Sequence, residues 1–280
     1  MLSVIIPAHD EEAVIGRCLR TLTPGSAGDD LDIVVVANGC TDATVDIAAR
    51  HPGVRLIEIS VASKPAALNT GDAAARHFPR AFVDADIEVG PRALLAVAEV
   101  LEDTGASVGA PAMRIDFTGC SWAVKAYYRV WLQLAWSTEA PVGTGVYVLS
   151  RGGHGKLGRF PDIISDDQYV HDLFRRDERV CVAQHEFVMR PARDVRALVV
   201  RRTRELEGGA ELQARFGALP GRSSGPGPVE LLRADPWRAF DLAVFAAIKA
   251  AAMWRLRRKR RLGRGGWERD ESSRGTLGAQ

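Results

Sequence analysis

The apolar positions of the first hundred residues fall into blocks of two alternating kinds. Leu2-Ser3-Val4-Ile5-Ile6-Pro7 is a short, almost unbroken apolar run closed by proline, which reads as a buried strand. From Glu11 to Leu22 the spacing changes, and Val14, Ile15, Cys18, Leu19 and Leu22 share one helical face. Asp10, Glu11 and Glu12 are expected in the first turn of that helix, where carboxylates suit its dipole. Ile33-Val34-Val35-Val36 predicts a second strand, β-branched as in sheets covered on both faces. Asn38-Gly39 turns the chain, Thr41 or Asp42 can cap a helix to about Arg50, and Val54 to Ile59 gives a third strand. A helix from Lys64 to about His77, a strand over Ala81 to Val83 and a helix from Pro91 to Glu102 follow. Ser107 to Met113 adds a strand, and Trp122 to Trp136 has the spacing of a long helix whose aromatic face reads as core or interface. Further strands are expected after Gly145 and from about Arg179 to Val182. Strand and helix alternating through short joins predict an α/β fold, a mostly parallel doubly wound sheet with helices on both faces.

The tail breaks this rhythm. Gly217 to Pro228 is rich in Gly, Ser and Pro and reads as a connector. Ala239 to Trp254 is nearly all apolar, and Arg255, Arg257, Arg258, Lys259, Arg260 and Arg261 follow at once. The expected layout is a catalytic domain over 1–216, with halves 1–105 and 106–216, a linker over 217–228 and a helical tail over 229–280. Two readings of the tail stay open. It can lie on an anionic membrane surface, such as the inner face of a plasma membrane, or pack on the catalytic domain or on the mate in a homodimer.

Composition narrows the classes. A hydrophobic fraction of 46% over 280 residues supplies a sizeable core. The net charge of +2 argues against a general nucleic-acid binder. Cys18, Cys40, Cys120 and Cys181 form no Cys-x-x-Cys pair, so neither a zinc site nor a disulfide framework is expected, and a reducing cytoplasm fits. No basic-then-apolar leader is expected at the start, and no stretch has the length of a membrane span.

The chemistry centres on Ala81-Phe82-Val83-Asp84-Ala85-Asp86, where an apolar strand ends in two carboxylates one residue apart. Strand C-termini of α/β sheets are where ligand sites form. Paired hard oxygens there suit Mg²⁺ or Mn²⁺ shared with substrate phosphates; a plain surface pair is the competing reading. A dinucleotide-binding domain would need Gly-x-Gly-x-x-Gly after the first strand. That position holds Pro7-Ala8-His9-Asp10-Glu11-Glu12, a poor pyrophosphate cradle without a cation.

Four segments taken together are more specific than any one. Val4-Ile5-Ile6-Pro7-Ala8-His9-Asp10-Glu11-Glu12, Val36-Ala37-Asn38-Gly39-Cys40-Thr41-Asp42, Lys64-Pro65-Ala66-Ala67-Leu68-Asn69 and Asp84-Ala85-Asp86 resemble, in order and spacing, the motifs of family-two glycosyltransferases. That group has the GT-A fold and uses nucleotide-sugar donors, and the resemblance covers about the first two thirds of the chain. It implies that Pro7, Ala8, His9 and Glu11 line the nucleoside pocket. Asn38 stands where the family has an Asp that reads the base. An amide both donates and accepts where a carboxylate only accepts, so a base other than uracil is open. Lys64 would approach base or phosphates, Asn69 would support its loop, and Asp84 and Asp86, with Ala85 between them, would hold the cation on the diphosphate.

The second half carries the acceptor side of the same resemblance. Pro141-Val142-Gly143-Thr144-Gly145 resembles the segment bordering donor and acceptor, and its glycines, Gly145 among them, would let backbone approach a sugar. In Ser165-Asp166-Asp167-Gln168 the alignment makes Asp167 the catalytic base and Asp166 its helper, with helix capping as the plainer alternative. His185, or else His154, is a candidate third metal ligand. Arg202 lies near where relatives place a basic motif over the diphosphate, although Arg201-Arg202-Thr203-Arg204-Glu205 lacks the usual Gln-x-x-Arg-Trp form. The expected function is a metal-dependent inverting glycosyltransferase acting on a hydroxyl of a lipid, glycan or small metabolite, with a place in cell-envelope or exopolysaccharide assembly. The rivals are a sugar-nucleotide nucleotidyltransferase, which would want a basic Gly-rich phosphate loop, and a non-catalytic nucleotide-sugar binder.

Overall fold

A computed structural model places residues 1–23, 30–133, 142–221, 230–231 and 238–262. The continuation of the aromatic helix to Trp136, Pro141, most of the expected linker and the chain after Leu262 lie outside these described residues. The chain divides into two compact units rather than three consecutive segments. The first comprises Met1–Arg114, Ala140–Asp162 and Asp166–Met189, and the second Ile115–Glu139, Ile163–Ser165 and Arg190–Gln280.

The first unit holds the sheet. Its strands are β1 (Leu2–Ala8), β2 (Leu31–Asn38), β3 (Val54–Ile59), β4 (Arg80–Val83), β5 (Glu88–Val89), β6 (Val108–Ile115), β7 (Val146–Leu149) and β8 (Arg179–Met189). They lie in the order β3-β2-β1-β4-β7-β6-β8-β5. The parallel half expected from sequence is there, since β1 pairs parallel with β2 and β4, and β2 with β3. Beyond β4 the sheet turns antiparallel at β4–β7, β6–β7 and β5–β8, so it is mixed. β1 and β2 are buried along their whole length, as unbroken β-branched runs require when both faces are covered.

The helices differ from expectation mainly at their ends. α1 spans Ile15–Leu22 and starts four residues later than the acidic run predicts. Those acids face across to the β2 loop instead. Asp10 Oδ1 accepts the Thr41 N–H at 2.6 Å, Glu12 Oε2 accepts that of Ala43 at 3.0 Å, and Asp42 Oδ2 accepts that of Glu12 at 3.0 Å. α2 spans Thr44–Ala49, and the Asp42 carboxylate accepts the Thr44 N–H at 3.0 Å. α3 spans Lys64–Ala74, capped by Ser63, whose side chain accepts the Ala66 N–H. It stops short of His77 because the N–H groups of Arg76 and His77 donate to Ser3 Oγ, at 3.1 and 2.9 Å, rather than back along a helix. α4 spans Pro91–Thr104 and ends at Gly105, whose φ of 72° is the left-handed conformation that terminates helices. α6 (Arg151–Leu157) and α7 (Asp166–Leu173) complete this unit. Its core joins Ile5, Phe82 and Tyr147 of the sheet to Leu68 of α3 and Val170 of α7.

The second unit is helical among its described residues. It is built on α5 (Trp122–Trp131), α8 (Val195–Phe216) and α9 (Ala239–Arg261). The apolar tail segment, α9, packs against both α5 and α8 and is not an appendage. Phe245, Ile248, Ala252 and Leu256 form its buried stripe, and Phe245 stacks on Tyr127 with ring centroids 4.8 Å apart. The packing alternative for the tail is therefore realised within its own chain.

Candidate active site

Three of the four acids that sequence placed on opposite sides of a reaction meet at one ammonium group. Lys64 Nζ lies 2.8 Å from Asp84 Oδ1, 3.0 Å from Asp166 Oδ2 and 3.8 Å from Asp167 Oδ1. Each member arrives on a different element. Lys64 is the first residue of α3, and Asp84 follows β4. Asp166 and Asp167 open α7, where the unpaired N–H groups of a helix start favour carboxylates.

Three carboxylates around one cation leave the cluster unevenly charged. The Asp166 side chain is 5% exposed. Burial raises its carboxyl above the ordinary aspartate value against the opposing pull of Lys64, and Asp84 adds to the rise. Burial also works against the Lys64 charge, but Asp166, Asp167 and Asp84 outweigh it and hold the ammonium well above its ordinary value.

The segment between the pairs fixes their spacing. Gly143 has a φ of 84°, and a Cβ there would come within 2.5 Å of the Asp167 carbonyl oxygen. Gly145 has a φ of 98°, and a Cβ there would meet the Ile87 side chain at 2.8 Å and Asp84 Oδ2 at 3.5 Å. The Asp84 N–H donates to the Gly145 carbonyl at 2.8 Å. The close approach expected of these glycines is made, but to the protein's own backbone and to the acid turn. Asn69 pins the far side. Its amide donates to the Phe160 carbonyl and accepts the Phe160 N–H, both at 2.9 Å.

Asp84 and Asp86 sit in a turn closed by the Ile87 N–H donating to the Asp84 carbonyl at 3.1 Å, with Ala85 buried between them. Cys18 lies beneath, and its thiol is pushed up by burial and then by Asp86 and Asp84. Both acids are half-buried, and among the described residues Asp86 forms no ion pair. Two hard carboxylates one residue apart, one without a counter-charge from the protein, fit a small divalent cation. His185 does not complete the set. The antiparallel register puts Glu88 opposite Val188 and Val89 opposite Phe187. His185 thus lies further along β8, away from Asp86. Nor does His154, which pairs with Asp72 at 2.8 Å.

The nucleoside-side residues come together where β1 and β2 end. Pro7, Ala8, His9 and Glu11 lie beside Asn38, since β1 and β2 pair Ala8 with Ala37. Asn38 is 3% exposed, and its amide nitrogen donates to the Ala8 carbonyl at 2.8 Å. One of its two amide hydrogens is thus committed inside the protein. A carboxylate at the same position could not make this bond. Glu11 is buried, and its N–H donates to Thr44 Oγ1 at 2.6 Å.

Arg202 departs from its expected place over a diphosphate. It belongs to α8 in the other unit and is 8% exposed. Its Nη2 donates to the Tyr128 hydroxyl at 3.0 Å, and its Nη1 pairs with Glu205 at 2.5 Å. The guanidinium lies over the Tyr127, Tyr128 and Trp131 rings, 5.1 to 5.5 Å from their centroids. A guanidinium so enclosed is not held for a phosphate.

Tyr147 escaped sequence reasoning. It is 2% exposed, and among the described residues its hydroxyl has no hydrogen-bond partner. Its ionisation is pushed well up by burial and then by Asp166, Asp167 and Asp84. Val146-Tyr147-Val148 reads only as core strand, so nothing local marks that hydroxyl.

The sequence model of glycosyl transferase family 2 matches residues 3–161. An uncharacterized glycosyltransferase, YibD, of Escherichia coli (strain K12) is 36% identical over 94 residues, 32% of this chain and 27% of that protein. The match therefore spans about a quarter of the relative's length. The mannosyltransferase PcManGT of Pyrobaculum calidifontis, solved with GDP-Man and Mn²⁺, superposes with a TM-score of 0.60 at 22% identity, over 94% of this chain and 80% of that one. Glucosyl-3-phosphoglycerate synthase of Mycobacterium tuberculosis, solved with Mn²⁺, UDP-Glc and phosphoglyceric acid, gives 0.56 at 21% identity, over 78% and 80%. The likeness to both is one of fold, GT-A. Because the family model covers more than half of the 280 residues, including both ends of the acidic cluster's donor side at Lys64 and Asp84, this chain belongs to glycosyl transferase family 2.

Proposed function

We propose that the protein is a metal-dependent, inverting glycosyltransferase that moves a sugar from a nucleoside diphosphate to an acceptor hydroxyl. The observation that carries this reading is the convergence of Asp84, Asp166 and Asp167 on Lys64, which brings donor-side and acceptor-side carboxylates into one cluster within one unit. Asp84 and Asp86 would hold Mg²⁺ or Mn²⁺, which when bound supplies positive charge to the departing diphosphate. The Mn²⁺ and nucleotide sugars bound by the two similar structures support that assignment.

Asp167 is the base. A hydroxyl is a weak nucleophile until a carboxylate within hydrogen-bond reach takes its proton. As that O–H bond breaks, the oxygen attacks the anomeric carbon and the nucleoside diphosphate leaves with the bonding pair from the opposite face. One displacement inverts the configuration. Asp166 is buried against the ammonium and acts through its hold on Lys64. Lys64 orients the three acids and keeps their mutual repulsion in check.

The test is thermal unfolding with GDP, UDP and other nucleoside diphosphates, with and without Mn²⁺. A ligand at about 100 times its Kd stabilises by about 2.7 kcal/mol. A shift that needs both nucleotide and cation, and that Asp84→Asn removes, is expected; no cation-dependent shift with any nucleotide would sink the proposal.

The tail bears on where the acceptor is met. No helix among the described residues is long and apolar enough to cross a membrane. On α9, Met253 and Trp254 are exposed beside the exposed Arg257, Arg258, Arg260 and Arg261. That pattern supports contact of the protein with an anionic membrane face from the cytoplasmic side. Co-sedimentation with phosphatidylglycerol vesicles but not with phosphatidylcholine vesicles is the expected result; equal recovery with both would remove it.

A further inference from the structure

The loops after β1 and β2 carry a second group of ligand-type side chains, of which the glycosyl-transfer reading uses only His9, at the nucleoside pocket. His9, Asp10 and Cys40 each direct one ligand atom into a space in which all three lie within 4.8 Å of one another. Among the described residues no other set of three His, Cys, Asp or Glu side chains does so. The cysteine spacing gives no hint of this, because the three ligands come from two strand ends 30 residues apart and are joined only by the parallel pairing of β1 with β2.

The orientation of each ligand is set from behind. His9 Nδ1 is 2.6 Å from the Asn38 carbonyl oxygen. A carbonyl can only accept, so Nδ1 carries the proton, and in the neutral ring Nε2 is the nitrogen that can ligate a metal. Nε2 faces Asp10 Oδ2 at 3.8 Å. A backbone acceptor behind the far ring nitrogen is the outer-shell arrangement that fixes metal-bound histidines. Asp10 divides its two oxygens. Oδ1 accepts the Thr41 N–H at 2.6 Å, and Oδ2 is the one turned to His9. Gly39, with a φ of 60°, folds the chain back so that Cys40 Sγ reaches within 3.4 Å of the Ala8 carbonyl.

We propose that His9, Asp10 and Cys40 form a binding site for a thiophilic divalent ion of the Zn²⁺ or Co²⁺ type, separate in position and selectivity from the Asp84–Asp86 pair. One nitrogen, one carboxylate oxygen and one sulfur are the ligand types of zinc sites, whereas two bare carboxylates favour Mg²⁺ or Mn²⁺. On binding, the Cys40 S–H bond breaks, the sulfur bonds the metal and the proton passes to solvent. Three protein ligands leave a fourth position to solvent.

The experiment is titration of the nucleotide-free, full-length protein with Co²⁺, followed by optical absorption. A thiolate-to-cobalt charge-transfer band that saturates at one equivalent and is displaced by Zn²⁺ but not by Mg²⁺ is expected. Cys40→Ser should abolish the band. Asp10→Asn, whose amide tolerates the left-handed backbone at φ 48°, should keep the band and weaken Co²⁺ by at least about tenfold. Asp84→Asn should leave the titration unchanged. In the unaltered protein, Zn²⁺ should slow alkylation of Cys40, read by peptide mass spectrometry, and this arm does not depend on a variant folding. Absence of the band, its persistence in Cys40→Ser, or alkylation of Cys40 at the same rate with and without Zn²⁺ would overturn the proposal.

Discussion

Lys64 and Arg202 are both cations withdrawn from solvent, one in each unit, and their surroundings are opposite. Lys64 is outnumbered, with three carboxylates within 3.8 Å of one ammonium and its side chain still 32% exposed. Arg202 is enclosed by three aromatic rings, one hydroxyl and one carboxylate, and its side chain is 10% exposed. A cation surrounded by surplus negative charge marks a place where more positive charge is welcome. A cation enclosed by ring faces and paired with a single acid already has its charge met. The same residue class therefore signals chemistry in one unit and architecture in the other.

The largest test of that contrast is Asp167→Asn. With Asp84 and Asp166 still on Lys64, stability should stay within about 0.5 kcal/mol, while transfer falls by about 10²- to 10⁴-fold. A nucleotide-dependent thermal shift that survives in this variant would separate lost chemistry from lost binding; undiminished turnover would erase the distinction between the two cations. Arg202→Met should do the reverse. It strands the buried Tyr128 hydroxyl and removes the cation from three rings, a cost of about 3 kcal/mol. The urea midpoint should fall, and turnover per folded molecule should not change.

A smaller effect sharpens the contrast by asking whether charge environment, not location, is what matters. Asp32 lies in the first unit, yet its charge is met by the protein, as that of Arg202 is. It accepts from Ser3 Oγ at 2.8 Å, from Arg55 at 2.8 and 2.9 Å and from the Arg76 N–H at 3.1 Å. Burial alone would raise its carboxyl, but the Arg76 N–H, Ser3 and Arg55 outweigh it and hold it below its ordinary 3.8. A depressed folded value means that the stabilisation is complete above 3.8 and is lost as pH falls through the folded value. Asp32→Asn should therefore cost about 2 kcal/mol at neutral pH, and the gap to the unaltered protein should close in acid. A pH-independent gap in denaturation curves would contradict the ionised, paired state.

What the sequence disclosed follows the reach of each signal. Asp84, Asp86 and Lys64 sit at element ends that strand and helix periods mark, whereas Asp166 and Asp167 were singled out by the resemblance to family-two glycosyltransferases. The parallel half of the sheet was equally legible, because each crossover contains its own helix. Strand direction beyond β4 has no periodic signature. Arg202 was misread because its partners Tyr127, Tyr128 and Trp131 lie some seventy positions away, on α5. The late start of α1 has the same cause at shorter range. Glu12 and Asp10 read as helix-dipole residues locally, but backbone donors of the β2 loop claim them.

Gly143 turns the acid pair of α7 into one jaw of a caliper. The main chain of the loop rests on the carbonyl of Asp167 with no room for a methyl group between. Main-chain contact cannot be relaxed by choosing another rotamer. A longer or shorter reach between the carboxylates of 84 and 167 therefore has to be set in this loop, before either acid can be changed to any purpose.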